Sequence, residues 1–290
     1  MQNLFNYTTL STRLEKTTRT LFVTLNRPDW NNAFRLEMLF ELESLLAWCT
    51  SRVEINSIFI DSSTARFSTG FDLEKLSTTN SSQIEKINSK LQKIIFAMMQ
   101  LPQTIIVDLG EGSETIASEF ALGADIRISS EDAKIRFNHG EYGLVPAAGG
   151  MSMLSTLVAP TFARSWVLTG APISKETLLH SGFISTTYAK ESREETIHKT
   201  LSAIAGQAPV QRIQGKLGLF ESLRSQFEAG LVMDRKIAKA SMVSEDWKSV
   251  KKKEASSQEE ATEFMPAKSM SYAVKLSLIK NEEGTKNLEH

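Results

Sequence analysis

The chain has 290 residues, with 33 Lys+Arg against 34 Asp+Glu and a net charge of -1. That length buries a substantial core in one large domain or a domain with an appendage, and so even a charge balance speaks against nucleic acid or an anionic membrane as the main partner. The single cysteine, Cys49, cannot close an internal disulfide, which suits a reducing compartment.

Taken in chain order, the first half alternates two kinds of segment. Thr20 to Leu25 (TLFVTL) is rich in β-branched and aromatic residues and runs into Asn26-Arg27-Pro28, so it reads as a strand with a stop. Leu36 to Trp48 is helical, since Leu39, Leu42, Leu45 and Leu46 recur at spacings of three and four. Ser57 to Ile60 is a short apolar strand, Ile84 to Met99 an amphipathic helix, and Thr104 to Val107 and Ile126 to Ile128 are two further strands. Such alternation predicts an α/β architecture with crossover units.

After about Leu201 the strand signals fade. Val210 to Phe227, Val232 to Ala240 and Gln258 to Phe264 read as helices, which divides the chain into a core over 1–205 and a helical region over 206–287. Leu288-Glu289-His290 looks like the remnant of a purification tag, and the run Lys251 to Lys253 reads as a solvated helix face. The N-terminus lacks a basic-then-apolar signal pattern and no apolar run is long enough for a bilayer. The expected location is therefore the cytoplasm.

Four segments carry chemistry when taken together. They are Leu25 to Pro28 followed by Asn32-Ala33-Phe34; Arg66 to Leu73; Glu119 to Ile128; and Leu144 to Gly150 followed by Leu168 to Ser174. Their order and spacing, over roughly residues 5–270, resemble the enoyl-CoA hydratase/isomerase (crotonase) superfamily. The resemblance implies a crotonase-like ββα spiral core with a C-terminal helical trimerisation region, assembled as a homotrimer or hexamer. It implies an acyl-CoA substrate, hydration or double-bond isomerisation as the reaction, and no cofactor beyond the coenzyme A that the substrate carries.

Chemistry beside a thioester passes through an oxyanion, which two aimed backbone N–H groups stabilise without reorganising. By the resemblance these donors are the N–H groups of Phe71, in the turn Ser68 to Asp72, and of Ile116. The glycine-rich run usual before the second donor is replaced here by Gly112-Ser113-Glu114-Thr115-Ile116-Ala117-Ser118. Ile116 is β-branched and bulky, so a narrowed pocket, a rearranged loop or an inactive site is expected. Glu119 takes the place of the first acid/base glutamate. Counting back from Pro146, the second falls on His139, which can move a proton but offers a single acceptor when neutral. A register shift of two would bring Glu141 there instead. One missing carboxylate keeps two further possibilities open: a single-carboxylate isomerase, hydrolase or decarboxylase, and a non-catalytic homologue that keeps the fold. No Gly-x-Gly-x-x-Gly run follows a strand, no P-loop is present, and His139, His180, His198 and Cys49 are too widely spaced for a metal site.

Overall fold

The computed structural model describes residues 5–72, 75 and 78–249. Its main sheet is built from β1 (Leu10–Glu15), β2 (Thr20–Leu25), β3 (Ser57–Ser62), β4 (Thr104–Asp108), β6 (Ile126–Ser130) and β8 (Thr186–Tyr188), side by side in that order. β1 and β2 form an antiparallel hairpin, and every later neighbour pairs in parallel, Leu21 beside Ile58 and Ile58 beside Ile105. The alternation of strand side chains explains why one sheet holds two cores. Ile58, Ile60, Ile105 and Val107 point to one face, with Leu39, Leu42 and Leu46 of α1 (Leu36–Cys49) and Leu91, Ile95 and Met98 of α2 (Ser81–Gln100) in the same cluster. Phe59, Ile106 and Ile128 point to the other, where α7 (Arg193–Ala205) supplies Ile197, Leu201 and Ile204.

Short strands form a second sheet. β5 (Gly112–Ser113) follows β4 and precedes α3 (Thr115–Phe120); β7 (Lys134–Ile135) follows β6 and lies parallel to β5. The segment after β3 joins this layer through Ser68 beside Ser113, and Ile135 reaches on to Ile173. The chain thus repeats a long strand, a short strand and a helix, the expected ββα arrangement. The sheets deliver three loop ends to one place: Ser68 to Asp72, the start of α3, and the 3-10 turn His139–Tyr142.

Three helices, α4 (Leu154–Leu157), α5 (Pro160–Thr169) and α6 (Lys175–His180), lead to β8. Beyond α7 come α8 (Pro209–Glu221) and α9 (Arg224–Ser241). The single helix expected over 210–227 is interrupted at Ser222 and Leu223. The Ser222 hydroxyl donates to the Leu219 carbonyl at 2.7 Å and competes with the helical ladder there. α8 is tied to the core by Lys216, whose ammonium reaches Asp125 at 2.8 Å and donates to the carbonyls of Met98 and Gln103 at 2.8 and 2.7 Å. Burial pushes the Lys216 ammonium down and the Asp125 carboxyl up from their ordinary values, and their mutual charge opposes both shifts. The helix expected over 258–264, the run 251–253 and residues 288–290 lie outside the described residues. No helix among the described residues is long and apolar enough to cross a membrane.

Candidate active site

The segment Ser68 to Asp72 forms a tight turn around Gly70. Gly70 has φ +79, a region glycine enters freely, and a Cβ there would lie 1.9 Å from Thr115 Oγ1 and 2.4 Å from the Glu114 carbonyl. Gly70 N–H donates to Ser68 Oγ at 2.9 Å and Ser68 Oγ–H to the Asn32 carbonyl at 2.8 Å, so the Asn32 region and the turn are locked together. Arg35 closes the outer side on Asp72 at 2.7 Å.

The Phe71 N–H is already occupied. It donates to Thr115 Oγ1 at 3.2 Å. Thr115, fully buried, opens α3 with φ +46, a conformation that costs a β-branched residue on the order of 1–3 kcal/mol. Its own N–H donates to Asn138 Oδ1 at 3.3 Å, which helps hold it there. The Ile116 N–H, second in α3, meets no acceptor among the described residues. Its bulky side chain, expected to narrow the pocket, belongs to the hydrophobic core. The neighbouring threonine, which the sequence did not single out, is the residue that fills the donor position.

Glu119 and His139 lie in contact, and neither lines the cavity beside Phe71. Glu119 Oε2 and His139 Nε2 are 2.9 Å apart, and both residues are 0 % exposed. Glu119 Oε1 accepts the Ala148 and Gly150 N–H groups at 2.7 and 2.8 Å. With the ring proton on Nε2, Glu119 Oε2 would accept it and His139 Nδ1 would present a lone pair. Nδ1 has no hydrogen-bond partner. The imidazole meets the Phe71 ring edge-to-face with centroids 6.4 Å apart, which places the Glu119–His139 pair beside the turn at Gly70. Glu141, the alternative for the second position, pairs with Arg136 and accepts Asn138 Nδ2 at 3.2 Å, and the same Asn138 accepts the Thr115 N–H.

A second buried carboxylate was not foreseen. Asp234, on α9 and 1 % exposed, accepts Gly149 N–H at 3.1 Å and Ser152 Oγ–H at 2.9 Å through Oδ2. Burial, with the Glu119 charge as a lesser cause, pushes its carboxyl up to about 7. A cavity of about 450 Å³ opens against Phe71, lined also by Phe34, Ile84 and Ile87, with Arg35 and Lys75 among its charged groups. No group of His, Cys, Asp and Glu that could hold a metal occurs among the described residues.

Comparison with known proteins agrees with this arrangement of elements. The chain is 23 % identical over 228 residues to the 2,3-dehydroadipyl-CoA hydratase of Escherichia coli, covering 79 % of this chain and 89 % of that protein. It is 24 % identical over 224 residues to the short-chain-enoyl-CoA hydratase of Clostridium acetobutylicum, covering 76 % and 85 %. The crystal structure of enoyl-CoA hydratase from Bacillus halodurans superposes with a TM-score of 0.76 at 19 % identity, over 83 % of this chain and 98 % of that one. The enoyl-CoA hydratase/isomerase family model matches residues 15–262, a span that contains β2 to β8, the turn at Gly70, the Glu119–His139 pair and α9, and the chain belongs to that family.

Proposed function

We propose that the chain moves a proton on the carbons next to an acyl-CoA thioester, as an enoyl-CoA double-bond isomerase, with His139 Nδ1 as the base. The observation that carries this is the 2.9 Å contact between Glu119 and His139 Nε2, with Nδ1 left free. Glu119 holds the ring and its tautomer and stabilises the imidazolium formed when Nδ1 takes a proton from the α carbon of a 3-enoyl thioester. The same nitrogen returns the proton to the γ carbon, giving the 2-enoyl product with one base and no net proton change. The N–H groups of Phe71 and Ile116 carry the charge on the thioester oxygen meanwhile, and each such donor is worth about 3 kcal/mol. For this the Thr115 hydroxyl must give up Phe71 N–H to the substrate.

Hydration is less well supported. It needs acceptors that hold and deprotonate a water, and both Glu119 oxygens are committed within the protein. The test compares isomerisation of 3-hexenoyl-CoA with hydration of crotonyl-CoA by the purified protein. Isomerisation should dominate and fall by about 100-fold or more in His139→Ala; faster hydration sinks the assignment. One observation favours a second reading, a homologue that binds acyl-CoA without turning it over: Phe71 N–H is satisfied by Thr115. Binding of several thioesters with neither reaction detected would select it.

A further inference from the structure

The loop from Ala147 to Ser152 is gripped from two sides. Glu119 takes the Ala148 and Gly150 N–H groups on one side. α9 holds the other. Asp234 Oδ2 accepts the Gly149 N–H at 3.1 Å, the Ser152 N–H at 3.4 Å and the Ser152 hydroxyl at 2.9 Å. Gly230, one turn earlier on α9, lies against the same serine, since a Cβ there would be 2.5 Å from Ser152 Cβ. Gln92 of α2 completes the block, donating through Nε2 to the carbonyls of Ala147 at 2.5 Å and Leu231 at 3.0 Å. Gly230, Leu231 and Asp234 thus seat one face of α9 on the loop that holds Glu119.

The loop needs a grip on each side because of its sequence. Gly149 and Gly150 carry no side chain, and Gly149 stands at φ +118, a region that glycine alone enters freely. Such a backbone turns easily, so the direction of its N–H groups is set by what accepts them. Both glycines are buried, and an N–H that loses its acceptor there cannot turn to water. Without an acceptor at residue 234, rotation of the peptide units around Gly149 would relieve the orphaned N–H. The Gly150 N–H belongs to the next peptide unit and would turn with it, taking from Glu119 Oε1 one of its two donors. Glu119 would then be free to swing away from His139 Nε2, which its other oxygen meets at 2.9 Å. Each member of this chain of contacts is buried, Asp234 at 1 % exposure and Glu119 and His139 at 0 %.

We infer that Asp234 is a positioning residue for the Glu119–His139 pair, the acceptor through which α9 holds the loop that aims Glu119. The inference rests on the isomerase reading above for its kinetic assay and adds to that reading a residue that acts through another. It requires an acceptor oxygen at position 234. Asparagine supplies one in nearly the same place, and alanine supplies none.

Steady-state kinetics on 3-hexenoyl-CoA tests it, with melting temperatures to show that each variant folds. Asp234→Ala should lower kcat by about 10-fold or more with KM within about 2-fold, as a displaced acid/base pair does and a spoiled binding site does not. Asp234→Asn should keep kcat within about 2-fold of wild type. Gly230→Ala pushes α9 off Ser152 and leaves every polar group in place. It should lower kcat as Asp234→Ala does, and it stands in for that variant if the alanine chain does not fold. A second readout needs no turnover. In nitrogen-15-labelled protein the His139 ring should show one tautomer in the wild type and in Asp234→Asn, and an average of two in Asp234→Ala. Wild-type kcat with an unchanged imidazole in Asp234→Ala overturns the inference, and so does an Asp234→Asn variant as impaired as the alanine one. If the wild type isomerises no thioester, the isomerase reading falls and the imidazole spectra alone decide the positioning role.

Discussion

Glu119 and Asp234 hold alternate N–H groups of a single loop. Glu119 takes those of Ala148 and Gly150, and Asp234 takes that of Gly149 between them. Two acidic side chains from distant parts of the chain therefore fix the segment from Ala148 to Gly150, and each has a structural role beside any chemical one. Glu119→Gln separates the two. The amide oxygen can stay on the loop, but the NH₂ would then face His139 Nε2 and force the ring proton onto Nδ1. Isomerase turnover should fall by about 100-fold or more at unchanged KM, with little change in melting temperature. An unchanged kcat would remove Glu119 from the mechanism.

Asp234 should write a pH dependence into stability. Its folded value, about 7, lies above its ordinary value near 3.8, so the folded state holds the proton more tightly than the unfolded one. The resulting stabilisation is complete below about pH 4 and is lost as pH rises to about 7, on the order of 4 kcal/mol in all. Urea unfolding from pH 4.5 to 8 should show this decline, and Asp234→Asn should flatten it. A wild-type slope that persists in the variant assigns the titration to another group.

Thr115→Gly should free Phe71 N–H and relieve the backbone at φ +46, which costs glycine nothing. Acyl-CoA affinity should rise by about 10-fold, equivalent to about 1.4 kcal/mol. A loss of affinity or turnover would mean instead that the threonine hydroxyl is itself a donor to the ligand.

Lys216→Met should destabilise the fold by about 3 kcal/mol, because it leaves Asp125 and the carbonyls of Met98 and Gln103 without their cation. Chemical denaturation measures it, and a change under about 1 kcal/mol would show that α8 is held mainly by packing.

Assembly should bury apolar side chains that the single chain leaves in water. Leu168 is 82 % exposed, Leu219 76 % and Val210 65 %. A trimer or hexamer is the expected species in sedimentation at micromolar concentration, and a monomer there would leave these side chains unexplained.

The strands and first two helices were legible because their apolar periodicity is strong. α2 nevertheless begins earlier than its apolar pattern, at a capping box in which Asn80 and Gln83 satisfy each other's backbone N–H. β1 went unread because its residues, LSTRLE, form an edge strand whose pattern is set by the hairpin with β2. In the candidate site, the motifs that suggested Phe71, Glu119 and His139 are neighbours in the structure. Thr115 escaped because the missing glycines drew attention to the bulk of Ile116, whereas backbone direction decides which side chain faces the donors. That signal was present in one respect: any residue but glycine at 115 must put a Cβ into the turn. Asp234 gave no local signal, since a single acid in an amphipathic helix looks solvated until the loop that caps it is in place.

The contact between Gly70 and Thr115 also fixes the order in which this pocket can be redesigned. Position 70 is closed to every side chain, because a Cβ would strike the Glu114 carbonyl as well as the threonine, and removing the threonine clears only one of them. Position 115 has no such double constraint. A library aimed at new acyl specificities therefore gains nothing from diversity at 70, and should vary 115 first, before the walls at Phe34, Ile84 and Ile87.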